Sequence, residues 1–125
     1  MSSPGADPAA RAPLPSLDGR RFRALENSPG GQVTGETEFV FRQEGRTVHA
    51  RYGGGAIDVG FLVGIVKGGT VEFRYVHVDR DGTIASGHST DTIEVLSDGR
   101  LRLHERWEWE SKEGSGTSIL EEIGE

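Results

Sequence analysis

The chain has 125 residues, contains no cysteine and carries a formal net charge of -6 at pH 7. This length suits one domain with a core of its own. The lack of cysteine excludes disulfides and cysteine–zinc sites, and the acidic balance argues against a nucleic-acid binder, which usually has a basic face.

Two further features bear on the compartment of the protein. The longest apolar-leaning run, Ile57–Val66, is interrupted by Asp58 and by two glycines, and it is too short for a membrane helix. The N-terminus has no basic region followed by an apolar core, so we expect no secretory signal. We therefore predict a cytoplasmic protein with neither a membrane nor a nucleic-acid partner.

The composition changes after the first seventeen residues. Met1–Leu17 is rich in alanine, proline and serine, and we expect a disordered tail there, followed by a single domain over residues 18–125. In this domain, β-rich segments alternate with short glycine-containing turns. The predicted strands are Arg20–Asn27, Val33–Gln43, Arg46–Tyr52, Ala56–Lys67, Thr70–Asp79, Thr83–Ser97, Arg100–Ser111 and Thr117–Ile123.

The turns between these segments predict the fold class. Asp-Gly and Gly-Gly pairs favour tight hairpins, so consecutive strands are expected to pair as an antiparallel up-and-down meander. A flat meander exposes two edges that invite aggregation, whereas closure removes them. We predict an all-β barrel of about eight strands, and the alternatives are a sandwich or a half-open barrel wrapped on a helix.

Two-residue turns also predict which residues lie opposite each other on neighbouring strands of the barrel. Turns at Asp81-Gly82 and Asp98-Gly99 place His88 between Tyr75 and Trp109, and place Thr90 between Phe73 and Trp107. Turns at Glu44-Gly45 and Gly68-Gly69 place further large side chains inside. The expected ligand-binding lumen comprises Phe39, Tyr52, Leu62, Phe73, Tyr75, His88, Thr90, Trp107 and Trp109.

Four polar residues of this lumen are candidates for chemistry: Glu105, His88, Tyr75 and His77. A carboxylate between Leu103 and Trp107 must be paired, hydrogen-bonded or protonated if it is buried. Each of the four has an alternative as a structural group with a satisfied partner. If they converge, they form a general acid–base set.

No cofactor or metal is expected. Gly53-Gly54-Gly55 joins two strands and precedes no helix, so it does not form a phosphate loop. The histidines do not occur at the short spacings that are typical of metal sites.

One face of the fourth predicted strand is apolar and is expected to point outward. It carries Ile57, Val59, Phe61, Val63 and Ile65. Exposed apolar patches usually mark contact surfaces, so we predict a homodimer through this strand. A three-residue turn at Lys67–Gly69 would turn the same face inward and remove the argument.

Three functions fit these features. The first is a barrel that binds a small apolar or aromatic molecule. The second is a cofactor-independent enzyme such as an isomerase, cyclase or lyase, with Glu105 or His88 as the base and Tyr75 or His77 as the acid. The third is a dimeric interaction protein with a packed core.

Four segments carry a family resemblance: Gly19–Arg23, Gly35–Thr37, Phe73–His77 and Asp98–Trp109. Through them, the stretch Leu17–Ile123 resembles a group of small bacterial proteins often labelled as N-acetylglutamate synthases. The resemblance brings no catalytic residues with it. The expected architecture is similar to avidin-like and lipocalin-like barrels.

Overall fold

A computed structural model describes residues 15–124, which form eight antiparallel strands in one closed barrel. The strands are β1 (Arg21–Asn27), β2 (Glu38–Glu44), β3 (Thr47–Gly54), β4 (Ile57–Lys67), β5 (Thr70–Asp79), β6 (Ile84–Val95), β7 (Leu101–Trp109) and β8 (Ser115–Glu122). Each strand pairs with the next, and β1 pairs with β8. The predicted up-and-down barrel is therefore confirmed, and the alternatives of a sandwich or a half-open barrel are wrong.

The segment before β1 seals one end of the barrel. Most of the predicted tail lies outside the described residues, but Leu17, which was placed at its end, is fully buried. The backbone N–H of Leu17 donates to Gln43 Oε1 at 2.8 Å, and the N–H of Gly19 donates to the Phe41 carbonyl at 2.9 Å. The described residues contain no helix with the length and apolar character needed to cross a membrane.

Alternation along the strands fills this same end with hydrocarbon side chains. The β2–β3, β4–β5 and β6–β7 turns lie at this end, which we call the lower end. The inward side chains near these turns are fully buried, because successive residues of a strand point to opposite faces. We call them the apolar plug: Leu17, Phe22, Phe41, Val48, Val71, Leu101, Leu103 and Leu120.

Two of the predicted registers place side chains on the correct face. The Gly68-Gly69 turn is confirmed, because Lys67 pairs with Thr70 and Leu62 lies opposite Tyr75. Between β2 and β3 the pairing is displaced by two residues from the prediction, so that Phe41 faces Ala50 rather than Val48. A displacement of two residues keeps every side chain on its own face, since the period of a strand is two.

The predicted register of β6 is wrong by one residue on both sides. Tyr75 faces Gly87, not His88, and Trp107 faces Ser89, not Thr90. Both flanking turns contain three residues rather than two. The N–H of Asp79 donates to the Thr83 carbonyl, and the N–H of Leu96 donates to the Arg100 carbonyl.

Aspartate side chains stabilise these longer turns. Asp79 Oδ1 accepts hydrogen bonds from the backbone N–H groups of Asp81 and Thr83, at 2.9 and 3.0 Å. Gly82 and Gly99 take the positive φ that ends such a loop, at 84° and 91°. The one-residue shift sends His88 and Thr90 to the outer surface and brings Gly87, Ser89 and Asp91 inside.

The apolar stripe predicted on the outside of β4 is present for most of its length. Phe61 and Val63 are 54% and 59% exposed, and Val59 and Ile65 are partly exposed. Ile57 differs, because it is fully buried. A bulge lies between Ile57 and Val59 in the pairing with β5, and the extra residue turns Ile57 inward.

Candidate functional site

A pocket opens into the barrel at the upper end, opposite the apolar plug. This end carries the β1–β2 loop and the turns that follow β3, β5 and β7. The walls combine aromatic rings with a few polar groups. The residues that line the pocket are Asn27, Val33, Phe39, Tyr52, Leu62, Phe73, Tyr75, His77, Ser89, Glu105, Trp107, Trp109 and Ser118.

The pocket is narrow. The empty space between its walls is about 420 Å³ when the part open to solvent is included. The cavity proper has a volume of about 40 Å³. A single water needs roughly 10–15 Å³ of such volume. The space available without movement of the walls therefore suits a few waters or one thin, flat group.

Hydrogen bonds from the indole rings orient both tryptophans. Trp107 Nε1 donates to Asn27 Oδ1 at 2.9 Å, and Trp109 Nε1 donates to the Gly30 carbonyl at 3.3 Å. The two ring centroids lie 5.7 Å apart, and Tyr75 meets Trp109 edge to face at 5.8 Å. Because both acceptors belong to β1 or to the loop after it, this loop is tied to the aromatic wall.

A hydrogen-bond chain runs from the pocket wall to the surface through His77. Gln32 Nε2 donates to Asp79 Oδ2 at 3.1 Å, which leaves Gln32 Oε1 to accept from His77 Nε2 at 2.7 Å. His77 Nδ1 then accepts from the Tyr52 hydroxyl at 2.9 Å. This network assigns the neutral tautomer that carries its proton on Nε2.

Burial supports the neutral form of this pair. It lowers the pKa of His77, against an opposing effect of the nearby Asp79 carboxylate. It also raises the pKa of the Tyr52 hydroxyl well above its usual range. At neutral pH, His77 is therefore a hydrogen-bonded structural group that is also part of the pocket wall.

Two carboxyl groups meet at the floor of the pocket. Glu105 on β7 lines the floor, and Asp91 on β6 lies directly opposite it in the strand ladder. Ser118 Oγ donates to Glu105 Oε1, and Ser89 Oγ donates to Asp91 Oδ1, both at 2.6 Å. No lysine, arginine or histidine in residues 15–124 forms an ion pair with either acid.

This environment favours a proton on the pair. Burial raises the pKa of Asp91 well above its usual range, and the charge of Glu105 raises it further. Burial also raises the pKa of Glu105, although its hydrogen bonds with Asp91 and Ser118 oppose that effect. Two buried carboxyl groups that are directly opposite each other on neighbouring strands cannot both ionise cheaply, so we assign one proton to the pair.

The four residues predicted to form an acid–base set do not all line the pocket. Glu105, Tyr75 and His77 line the same pocket. His88 lies on the outer surface, where Nδ1 is 2.8 Å from Glu110 Oε2 and Nε2 is 3.3 Å from Glu108 Oε1. The prediction that His88 faces the lumen is therefore wrong, and the one-residue register shift of β6 is the reason.

Most of the predicted ligand-binding residues do line the pocket. The exceptions are His88 and Thr90, which share the outer face of β6. The prediction missed four residues that line the pocket, Asn27, Val33, Ser89 and Ser118. It also missed Asp91, which is opposite Glu105 on β6. A correct register for β6 identifies Ser89 and Asp91 from the sequence alone, because both alternate with the outward residues.

Among residues 15–124, no three or more histidine, aspartate or glutamate side chains come together as a metal ion requires. The two floor carboxyls form a group of two only.

Comparison with known proteins adds one finding to this geometry. A family model described as "Avidin-like protein" matches residues 15–123 of the chain. The match covers every strand of the barrel. A search of the curated proteins finds no match to the chain.

Proposed function

The chain belongs to the avidin-like protein family, and from this premise we propose that its barrel binds a small apolar or aromatic molecule in the pocket. The observation that carries the proposal is the division of the lumen. The lower end is filled by the apolar plug, whereas the upper end keeps an open, aromatic-walled space. An apolar cavity with a few convergent polar groups is the usual form of a ligand site.

The walls assign parts to the ligand. Phe73 and Trp107 lie on neighbouring sides of Ser89, so they flank a ring that enters from above. Phe39 on β2 and Leu62 on β4 supply further apolar contact from other parts of the pocket wall. The polar end of the ligand then meets Glu105 and the hydroxyl of Ser118 at the floor.

The limited space indicates a ligand with a single flat ring at its buried end. A larger group would have to displace a wall residue. The loop that carries Gln32 and Val33 borders the opening, and it is held by the hydrogen bonds from Gln32 to Asp79 and from His77 to Gln32. Anything larger than a ring is therefore expected to extend past this loop into solvent.

Tryptophan fluorescence tests the proposal directly, because both tryptophans of the chain line the pocket. We expect saturable quenching or a spectral shift with single-ring aromatic compounds and short uncharged aliphatic compounds. Trp107→Ala should weaken binding, Trp107→Phe should largely retain it, and Phe61→Ser on the outer surface should leave it unchanged. A folded protein that responds to none of these compounds contradicts the proposal.

We also propose that a second copy of the chain covers the outer face of β4 and β5. Phe61 pairs across the strands with Val76, which is 45% exposed, and Val63 extends the same patch. Apolar surface of this kind is uncommon on a monomer unless it is a contact surface. Burial of the patch against its own copy gives the two-fold interface typical of homodimers.

Sedimentation tests this assembly. We expect the parent protein to be a dimer and Phe61→Asp to be a monomer. Leu25→Asp is the matched control, because Leu25 is 52% exposed on β1, away from the patch. A parent protein that remains monomeric at high concentration contradicts the dimer and leaves the pocket proposal intact.

A further inference from the structure

The acid pair at the pocket floor has an unmet need for a hydrogen-bond donor. Asp91 is completely buried, and its Oδ2 atom has no hydrogen-bond partner among the described residues. Its other oxygen accepts from Ser89. An orphaned carboxyl oxygen at a buried position is costly, and a native structure rarely keeps one without a reason.

A shared proton meets part of this need. Asp91 and Glu105 are directly opposite each other in the β6–β7 ladder, and both are buried inside the barrel, so the two carboxyl groups are close enough to share a proton. A proton on Asp91 Oδ2 can therefore be donated to the Glu105 carboxylate. The pair then carries one negative charge, which is concentrated on the residue that lines the pocket.

The remaining charge faces the cavity, and no lysine, arginine or histidine among residues 15–124 forms an ion pair with it. Glu105 Oε1 accepts from Ser118, but each carboxylate oxygen has two lone pairs, so acceptor capacity is left over. The other polar groups of the pocket wall are amide, hydroxyl, phenol and neutral imidazole. The floor is thus anionic, and the cavity above it is walled by aromatic faces that also favour cations.

We propose that the ligand of this pocket is a small planar cation, such as an amidinium or a protonated amino-heteroaromatic ring, with its N–H groups donated to Glu105. This proposal rests on the proposed binding function and specifies the chemistry of its ligand. The flat ring stacks in the aromatic part of the pocket. A planar cation with parallel N–H donors matches a carboxylate in geometry as well as in charge.

Three single-ring probes of similar shape and different charge test the proposal: benzamidine, benzamide and benzoate. Binding is measured through tryptophan fluorescence at neutral pH. We expect benzamidine to bind the parent protein more tightly than benzamide, by on the order of tenfold or more, as a charge-assisted hydrogen bond allows. Benzoate is expected to bind least.

Isosteric amide variants locate the preference on the acid pair. The double variant Asp91→Asn/Glu105→Gln removes one negative charge from the pair while keeping side-chain volume. It should bind benzamidine and benzamide equally. Glu108→Gln is the matched control, since it removes one charge from the same strand on the outer face, and it should retain the preference.

Single variants keep the test decisive if the double variant does not fold. Asp91→Asn leaves Glu105 charged and should retain the preference for benzamidine, whereas Glu105→Gln should reduce it. If all three probes bind the parent with equal affinity, the cation proposal is overturned and the pocket function stands. If no probe binds the folded parent, both proposals fail.

Discussion

The two ends of the barrel are built from the same strands and yet differ in purpose. In the lower end, Phe22 and Phe41 meet edge to face at 5.3 Å, and the surrounding side chains of the apolar plug leave no exposed surface. In the upper end, aromatic rings share the lumen with two acids, serines and an open cavity. The plug therefore supplies apolar burial that stabilises the barrel, and the pocket can keep polar groups and open space.

Truncation of one phenylalanine at each end should separate the two regions most strongly. Phe41→Ala removes a fully buried ring from the plug and should destabilise the protein by about 3–5 kcal/mol. Phe73→Ala enlarges a cavity that already exists, so its cost should be smaller by at least about 1 kcal/mol. Urea unfolding of both variants measures the difference, and equal costs would show that the upper end is as tightly filled as the lower.

The acid pair should give the upper end an unusual dependence of stability on pH. The pKa of Asp91 is higher in the folded state than its unfolded value of 3.8, so the folded protein binds more protons above that pH. Its contribution is therefore most favourable below about pH 4 and declines as pH rises towards the folded pKa. The plug contains no titratable group and has no such dependence.

Asp91→Asn should remove this decline. The asparagine amide donates to Glu105 as the protonated acid does, without a proton to lose. We expect the variant to be more stable than the parent at pH 7, with a difference that grows by about 1.4 kcal/mol per pH unit above pH 4, until the folded pKa is reached. Urea unfolding between pH 4 and 8 measures it, and a difference independent of pH contradicts the assignment of one proton to the pair.

The effect of adding a methyl group should differ between Gly87 in the pocket wall and Gly69 in the β4–β5 turn. A Cβ at Gly87 would lie 2.3 Å from the Glu108 carbonyl oxygen and 2.4 Å from the Tyr75 hydroxyl oxygen. Gly87→Ala should cost about 1–3 kcal/mol and should weaken ligand binding by displacing Tyr75. Gly69→Ala, at a position where a Cβ meets nothing, is the control and should change neither the free energy of unfolding nor binding.

Gly87 lies on β6, the strand whose face was predicted wrongly, and the other strands show which parts of the fold the sequence does predict. The strand order and the aromatic wall followed from alternation and from turn positions, whereas the division of the lumen into a plug and a pocket was not predicted. The faces of β4 and β5 were correct because the Gly68-Gly69 turn has two residues as predicted. The face of β7 was correct because the one-residue errors on the two sides of β6 cancel. The face of β6 was wrong because both of its turns were assigned by the same rule, so their agreement with each other was not independent evidence.

The aspartates of these turns are the signal that the two-residue rule ignores. Asp79 accepts from the backbone N–H of Thr83, and Asp98 accepts from the N–H of Arg100. Both bonds favour the longer loop. The resulting one-residue register shift of β6 turns Asp91 and Ser89 inward, and the two-residue rule therefore places them on the wrong face. The position of Gln32 at the opening was beyond prediction for another reason, since its loop has no periodic pattern that fixes its path.

Titration of His77 should have the smallest effect on stability, and its dependence on pH should be opposite in sign to that of Asp91. Burial lowers its pKa from 6.5 in the folded state, so the unfolded chain binds more protons below pH 6.5. Its contribution is therefore fully present above pH 6.5 and is lost as pH falls towards the folded pKa. His77→Gln cannot titrate, so the stability advantage of the parent should shrink on acidification, by at most about 1.4 kcal/mol per pH unit.

Unfolding between pH 7.5 and 5 measures this change, and His49→Gln on the outer face of β3 serves as the control for the loss of an imidazole. The double variant His77→Gln/Asp91→Asn removes both titrating groups. Because the two groups act with opposite signs at the two sides of one pocket, the double variant should have a flatter dependence of stability on pH than either single variant. A parent advantage over His77→Gln that does not change with pH would place His77 in contact with solvent, and the hydrogen-bond chain from Tyr52 to Asp79 would then not close the pocket wall.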